Sequence, residues 1–343
     1  MSARPVVHGF VTPALDGPPT GGTLFNAQLI AALRRAGVSC HHFELAALPA
    51  DPSAVADVLW VDSLYLAAMP ELRARARGAR LHLLLHYLPS FVAQGRALAR
   101  TELDAVELRA LEFADALLVT SGTMRAALGQ LGLRARPVLC VEPGAECTPA
   151  RTQAARHAGS AVTGLMLCSV VAGKGVLPLL DALARTAAPE HDFSLVIIGR
   201  RDLEPAYADA CAARISAERA LRGRVRMVGA LPHARALDAL RTADVLLSAS
   251  RMEAYGMALA EARACGLPII ARRGGHAAAH IDPAAGSEAV TDEAAVAKRF
   301  LDLVCDPAQL AERKRLAVAG ARARSWEQVA AEWIAAVAVL TPH

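Results

Sequence analysis

Short apolar runs alternate with longer stretches in which apolar residues return every three or four positions, and this alternation continues along nearly the whole chain. The runs at 6–11, 38–45, 57–64, 81–85, 114–121 and 138–141 read as strands, and so do 165–170, 194–199, 225–228 and 244–247. Between them the spacing predicts helices at 21–35, 70–78, 96–113, 124–131, 176–184 and 238–243. A last amphipathic helix at 325–340 carries Trp326, Val329, Ala330 and Trp333 at near-helical spacing. Strand, loop, helix, strand is the βαβ unit of a parallel sheet, so the expected fold class is α/β.

Length adds a division. At 343 residues the chain is long for one core and suggests two domains. The stretch 148–160 holds proline, glycine, arginine and small polar residues without periodicity, as an interdomain crossing does. The expected parts are 1–150, 160–324 and the helix region 325–343.

Composition narrows the class. The 54% hydrophobic content and mean hydropathy of +0.30 are those of a globular chain rich in helical alanine. No apolar run approaches the ~18 to 20 residues of a membrane span, and no apolar signal core stands near the start. Seven cysteines, at 40, 140, 147, 168, 211, 265 and 305, lack paired spacing and read as small buried residues of a reducing compartment, without a disulfide framework or zinc site. A net charge of +4 is too mild and dispersed to argue for nucleic acid, and is compatible with an anionic substrate. The expectation is a cytoplasmic protein. Arg73, Arg75 and Arg77 on the helix at 70–78 suit a weak peripheral contact with an anionic membrane face, although a solvated arginine face is the simpler reading.

Candidate chemistry concentrates at 248–271. An apolar strand passes through a short loop containing Gly256 into a helix that Gly266 and Pro268 stop. Such a turn sets backbone N–H groups and a positive helix end at the C-terminal edge of a parallel sheet, where anions bind. Glu253 and Glu261 add acceptors for sugar hydroxyls. Two glutamates eight apart arise by chance in many helices. With Tyr255-Gly256-Met257 between them and 262–268 after them, the segment resembles the glutamate-x7-glutamate signature of retaining glycosyltransferase family 4, whose members have the GT-B fold.

The resemblance implies two Rossmann-like domains facing each other across a cleft, and a C-terminal helix that crosses back to the first domain. It implies transfer of a sugar from a nucleotide-diphosphate donor, a UDP-sugar first and a GDP-sugar second, to an acceptor hydroxyl with retention, and without a bound metal or other cofactor. Residue by residue, it gives Glu253 and the backbone of Tyr255, Gly256 and Met257 to the donor sugar and phosphate, Glu261 to the ribose, and Lys174 to the phosphates. His86, at a strand end, falls beside the donor sugar, and Gly22, in the turn after the first strand, falls in the loop that closes over donor and acceptor. Gly229 and Leu231 fall where the base meets the backbone. One position departs from the pattern. Where the family carries an arginine five residues before the lysine, this chain has Ser169, so Arg200 and Arg201, or the pair Arg272–Arg273, are the candidates to replace it.

No metal-ligand motif and no serine-histidine-aspartate set is legible. A nicotinamide enzyme would show glycine-x-glycine-x-x-glycine after its first strand, which is absent. Two alternatives remain open: a non-catalytic nucleotide-sugar-binding GT-B partner, to which Ser169 points, and a GT-B nucleotide-sugar epimerase. The acceptor, whether natural product, small metabolite, lipid or glycan, is not written in these residues.

Overall fold

The computed structural model describes residues 4–133, 136–147 and 161–340; the crossing expected at 148–160 lies outside the described residues. The chain divides into two compact units, one of residues 1–17, 22–144 and 324–343, the other of 18–21 and 145–323.

The first unit is built on β1 (His8–Val11), β2 (Cys40–Phe43), β3 (Val58–Asp62), β4 (Arg80–Leu85), β5 (Ala116–Val119) and β6 (Val138–Cys140), all parallel, in the order β2-β1-β3-β4-β5-β6. All five residues of β3 and the last five of β4 are buried, as in strands covered on both faces. The covering helices are α1 (Gly21–Arg35), α2 (Met69–Arg75), α3 (Pro89–Gln94), α4 (Ala105–Phe113) and α5 (Gly122–Gln130).

The single helix expected at 96–113 is not formed. Pro89 starts α3 and Gly95, at φ +66°, ends it; α4 begins only after Asp104, whose side chain accepts from the Val106 N–H. Nor do Arg73 and Arg75 form a solvated face. Arg73 donates to the Phe113 carbonyl and pairs with Asp115 at 2.7 Å, while Arg75 donates to the carbonyls of Leu48, Pro49 and Ala50. Their guanidinium groups tie helix to loops in geometry that an ammonium could not match.

The second unit runs β7 (Val162–Leu167), α6 (Val176–Thr186), β8 (Phe193–Ile198), α7 (Pro205–Ala217), β9 (Val225–Gly229), α8 (His233–Thr242), β10 (Val245–Ser248), α9 (Met257–Ala264), β11 (Ile269–Arg272), β12 (Glu288–Val290), α10 (Glu293–Cys305) and α11 (Pro307–Ala319). Its sheet is parallel in the order β12-β11-β10-β7-β8-β9. Val176, Leu179, Leu180 and Leu183 give α6 a buried stripe in one core with Leu195, Ile197 and Phe300. Each such side chain contributes about 1.5–3 kcal/mol by leaving water.

A disulfide joins Cys147 to Cys265, with Cα atoms 5.0 Å apart, against the expectation of free thiols. Their sequence separation of 118 hides the pairing from the sequence; Ala145 and Cys147 enter the same core as Cys265 and Leu267 at the end of α9.

The chain closes with α12 (Trp326–Ala338), which belongs to the first unit. Ser325 and Gln328 form its capping box, Trp326 packs on Gly144 and Phe25, and Trp333 packs among His8, Phe10 and Trp60. No helix of the described residues is long and apolar enough to cross a membrane.

In each sheet the strand order reverses once, between β1 and β3 and between β7 and β10. The crevice outside the strand ends at such a reversal is where open α/β sheets bind ligands.

Candidate active site

In the second unit the loops after β7 and β10 meet. Gly175 stands at φ +67° with its α-carbon so close to the Ala249 carbonyl that a Cβ would lie 2.3 Å from that oxygen. Only glycine allows this approach. Beside it, the Arg251 N–H donates to the Gly173 carbonyl at 2.9 Å. The two loops are thereby locked together, and Lys174 Nζ reaches Glu253 Oε1 at 2.7 Å. Burial alone would pull the Lys174 ammonium down, but the charge of Glu253 and its hydrogen bond outweigh this and hold it above the usual lysine range.

Glu253 is fixed by its backbone as well: its N–H donates to Gly274 and its carbonyl accepts from His276. Tyr255 stacks on His276 and meets His280 edge-on, and its carbonyl accepts from His280 Nε2 at 2.8 Å. Gly256, at φ +99°, then turns the chain into α9 without a side-chain cap. The amides of Leu259 and Ala260 close onto the Gly256 carbonyl, which leaves those of Met257 and Ala258 at the positive helix terminus.

Glu261 lies one turn further along α9 and is 4% exposed. Its Oε1 stands 2.7 Å from Nε2 of His233, the first residue of α8, a partner that sequence reasoning missed. Pro232 before it was the available signal, since it starts α8 five residues earlier than expected. Gly229 ends β9, and Leu231 packs against the α9 core.

Ser169 sits half-buried just past β7. Arg200 is its neighbour through the backbone, accepting from Val170 N–H, but its guanidinium forks onto Asp202 at 3.0 and 2.5 Å. Arg201 is exposed, and Arg272 is held by Glu293 at 2.6 Å.

In the first unit, Gly22 and His86 come together: a Cβ on Gly22 would lie 3.2 Å from the imidazole. Asn26, one turn along α1, stands 2.9 Å from His86 Nε2, and Asp62, at the end of β3, is 3.3 Å from the same nitrogen. Burial alone would raise the Asp62 carboxyl; His86, the Leu64 N–H and Asn26 together hold it below the usual carboxylate range. Asp62 and Asn26 were not singled out from the sequence, although an acid ending a wholly apolar strand was legible.

The group in the second unit supplies a fixed cation, open amides and two acceptor carboxylates. That set suits a phosphorylated, hydroxyl-rich ligand. Among the described residues no group of three or more His, Cys, Asp or Glu is placed to hold a metal ion.

Comparison with known proteins bears on this set. Residues 162–306 match the family described as glycosyl transferases group 1. A stretch of 101 residues is 37% identical to D-inositol 3-phosphate glycosyltransferase of Jonesia denitrificans, spanning 29% of this chain and only 24% of that protein. Sucrose-phosphate synthase from Thermosynechococcus elongatus superposes with a TM-score of 0.78 at 20% identity, over 98% of this chain and 99% of that one. Anabaena HepE in complex with UDP-glucose gives 0.73 at 18% identity, over 96% and 99%. At these identities the structures speak for the fold, two Rossmann-like units of the GT-B type.

Proposed function

We propose that this chain, whose residues 162–306 form a group 1 glycosyl transferase domain, is a retaining hexosyltransferase of family 4. It moves a sugar from a nucleotide-diphosphate donor to an acceptor hydroxyl, forming an α-glycosidic bond without a divalent metal. The observation that carries the reading is the Lys174–Glu253 pair beside the open amides of α9. A donor diphosphate draws Lys174 to itself as negative charge grows on the leaving oxygen, and the α9 amides take up the remainder. Glu253, released from Lys174, accepts from hydroxyls of the sugar, and Glu261 from those of the ribose. His86 is assigned to the reacting face of the sugar, with Gly22, which lies in the first turn of α1 and not in a loop, beside it.

The transfer needs no dedicated base. As the bond from the anomeric carbon to the phosphate oxygen breaks, the acceptor oxygen bonds on the same face, and the departing phosphate oxygen takes the acceptor's proton. UDP is the first choice of base because Anabaena HepE is described with UDP and with UDP-glucose. The acceptor is of the natural-product, small-metabolite, lipid or glycan class.

Thermal-shift titration against UDP, GDP, ADP, TDP and CDP and their sugar conjugates, with and without EDTA, tests this. At a hundredfold excess over Kd a single ligand adds about 2.7 kcal/mol to stability. The expected result is a rise with UDP and UDP-sugars that EDTA leaves unchanged; no rise with any nucleotide overturns the reading.

A further inference from the structure

Asp62, Asn26 and His86 are 1%, 0% and 9% exposed, and the hydrogen bonds among them leave one arrangement of protons. Asp62 Oδ1 accepts from the Leu64 N–H at 2.8 Å, and Oδ2 lies 2.6 Å from Asn26 Nδ2. A carboxylate oxygen can only accept, so the amide end of Asn26 faces Asp62 and its carbonyl oxygen faces His86. His86 Nε2 then has two acceptors before it, Asn26 Oδ1 at 2.9 Å and Asp62 Oδ2 at 3.3 Å. Nε2 must therefore carry a hydrogen.

The ring cannot escape by turning over, because a flipped imidazole would set carbon against both acceptors. Phe25 meets it edge-on at 5.4 Å, Gly22 lies against Cδ2, and Ser63 Oγ accepts from the His86 N–H at 3.3 Å. In the neutral ring a proton on Nε2 leaves a lone pair on Nδ1. Nδ1 has no partner among the described residues. It is also not one of the sealed ring nitrogens, as those of His82 and His280 are.

We infer that Asp62 and Asn26 are positioning residues that fix the tautomer of His86, so that it presents Nδ1 to the substrate as a hydrogen-bond acceptor. This rests on the reading above that His86 meets the donor sugar. The consequence is a selection by chemistry: the group lodged at Nδ1 is a hydroxyl able to donate, and a carbonyl or phosphate oxygen there is rejected. The acidic partner also explains why a histidine serves here where asparagine would bring both a donor and an acceptor.

The test reads the tautomer directly. In 15N-labelled protein, long-range 1H–15N correlation of the imidazoles, with His86 assigned by its loss in His86→Gln, should show a pyrrole-type Nε2 and a pyridine-type Nδ1. Adding UDP-glucose should move the Nδ1 resonance and not Nε2. Asp62→Asn keeps size and the cap on Leu64 but removes the obligate acceptor. It should mix the two tautomers and lower turnover of UDP-glucose about tenfold or more, with KM within about threefold, since an imidazole in the wrong tautomer keeps its place and loses its role. A pyrrole-type Nδ1 in the unmodified protein overturns the inference, as does an Asp62→Asn protein with unchanged tautomer or unchanged turnover. If Asp62→Asn does not fold, the tautomer of the unmodified protein and the response of its Nδ1 resonance to UDP-glucose decide the inference by themselves. If no nucleotide sugar is turned over or bound, the glycosyltransferase reading fails by itself, while the spectrum of the unmodified protein still decides the tautomer.

Discussion

Lys174 Nζ stands 2.7 Å from Glu253 Oε1, although 79 residues separate them in the chain. Each is the other's counter-ion, and neither can be removed without leaving a charge unpaired in a half-buried place. Lys174→Met should lower kcat/KM for the nucleotide sugar by about 10²–10³-fold, the range lost with one charge-stabilising donor. Glu253→Gln should cost more in turnover than in affinity, because its positioning is realised in the transition state. Steady-state kinetics of both single variants and the double variant check this. Losses that simply multiply would mean the two do not act as a pair.

His233 and Glu261 make the second relationship open to test. If His233 holds Glu261 in place for a ribose, His233→Ala should weaken UDP binding about three- to tenfold, the worth of one ordinary hydrogen bond, and leave turnover at saturation within about twofold. Calorimetric titration with UDP gives the affinity. Equal binding by the variant would show that Glu261 needs no such support.

Arg200 is joined to the residue after Ser169 through the backbone, and among the described residues its guanidinium is held by an exposed aspartate. Exposed pairs are worth little, so a phosphate can take Arg200 from Asp202 at small cost. Arg200→Ala should then raise the Kd for UDP about tenfold, and Ser169→Arg introduced into that variant should restore it. Unchanged affinity in Arg200→Ala would leave Lys174 as the sole fixed cation of the proposal.

Acid should loosen the fold from about pH 6.5 downward. Burial holds His8, His82 and His280 at about 4, against 6.5 when exposed, so they stay neutral in the folded chain while the unfolded chain takes up their protons. Stability is fully present above pH 6.5 and falls as pH drops toward 4, by roughly 1.4 kcal/mol per pH unit for each histidine. Asp62 and Glu288, held below the usual carboxylate range, act in the same direction only at lower pH. Melting temperatures between pH 7 and 4.5 should trace the decline. His82→Leu, which removes a ring nitrogen with no partner, should flatten it.

What could be read from the chain alone follows from what is local. Most strands announced themselves because parallel strands covered on both faces are apolar throughout, with β3 and β4 the clearest examples, whereas the short edge strand β12 was not read. Punctuation inside a periodic stretch was harder to weigh. Pro89 and Gly95 bound a short helix, α3, that was not expected, Asp104 delays the start of the helix expected from 96 until α4, and Pro232 moved the start of α8 far enough to bring His233 to Glu261. Lys174 and Glu253 were each legible as candidates, from a lysine-glycine turn and from a glutamate-x7-glutamate spacing. That they bond to each other was not, since the contact depends on the sheet order placing β7 beside β10. The partners of His86 stayed unread for the same reason: Asn26 and Asp62 come from a helix and a strand that only the fold makes neighbours.

The bridge between Cys147 and Cys265 gives the second unit a property that its strands and helices do not. The backbone from one cysteine to the other is a closed covalent ring, and Ser169, Lys174, Arg200, His233, Glu253 and Glu261 all lie inside its circumference. A protease that cuts once anywhere in that circuit opens the ring without releasing a fragment, and the nicked chain keeps its mass until a reductant separates the pieces.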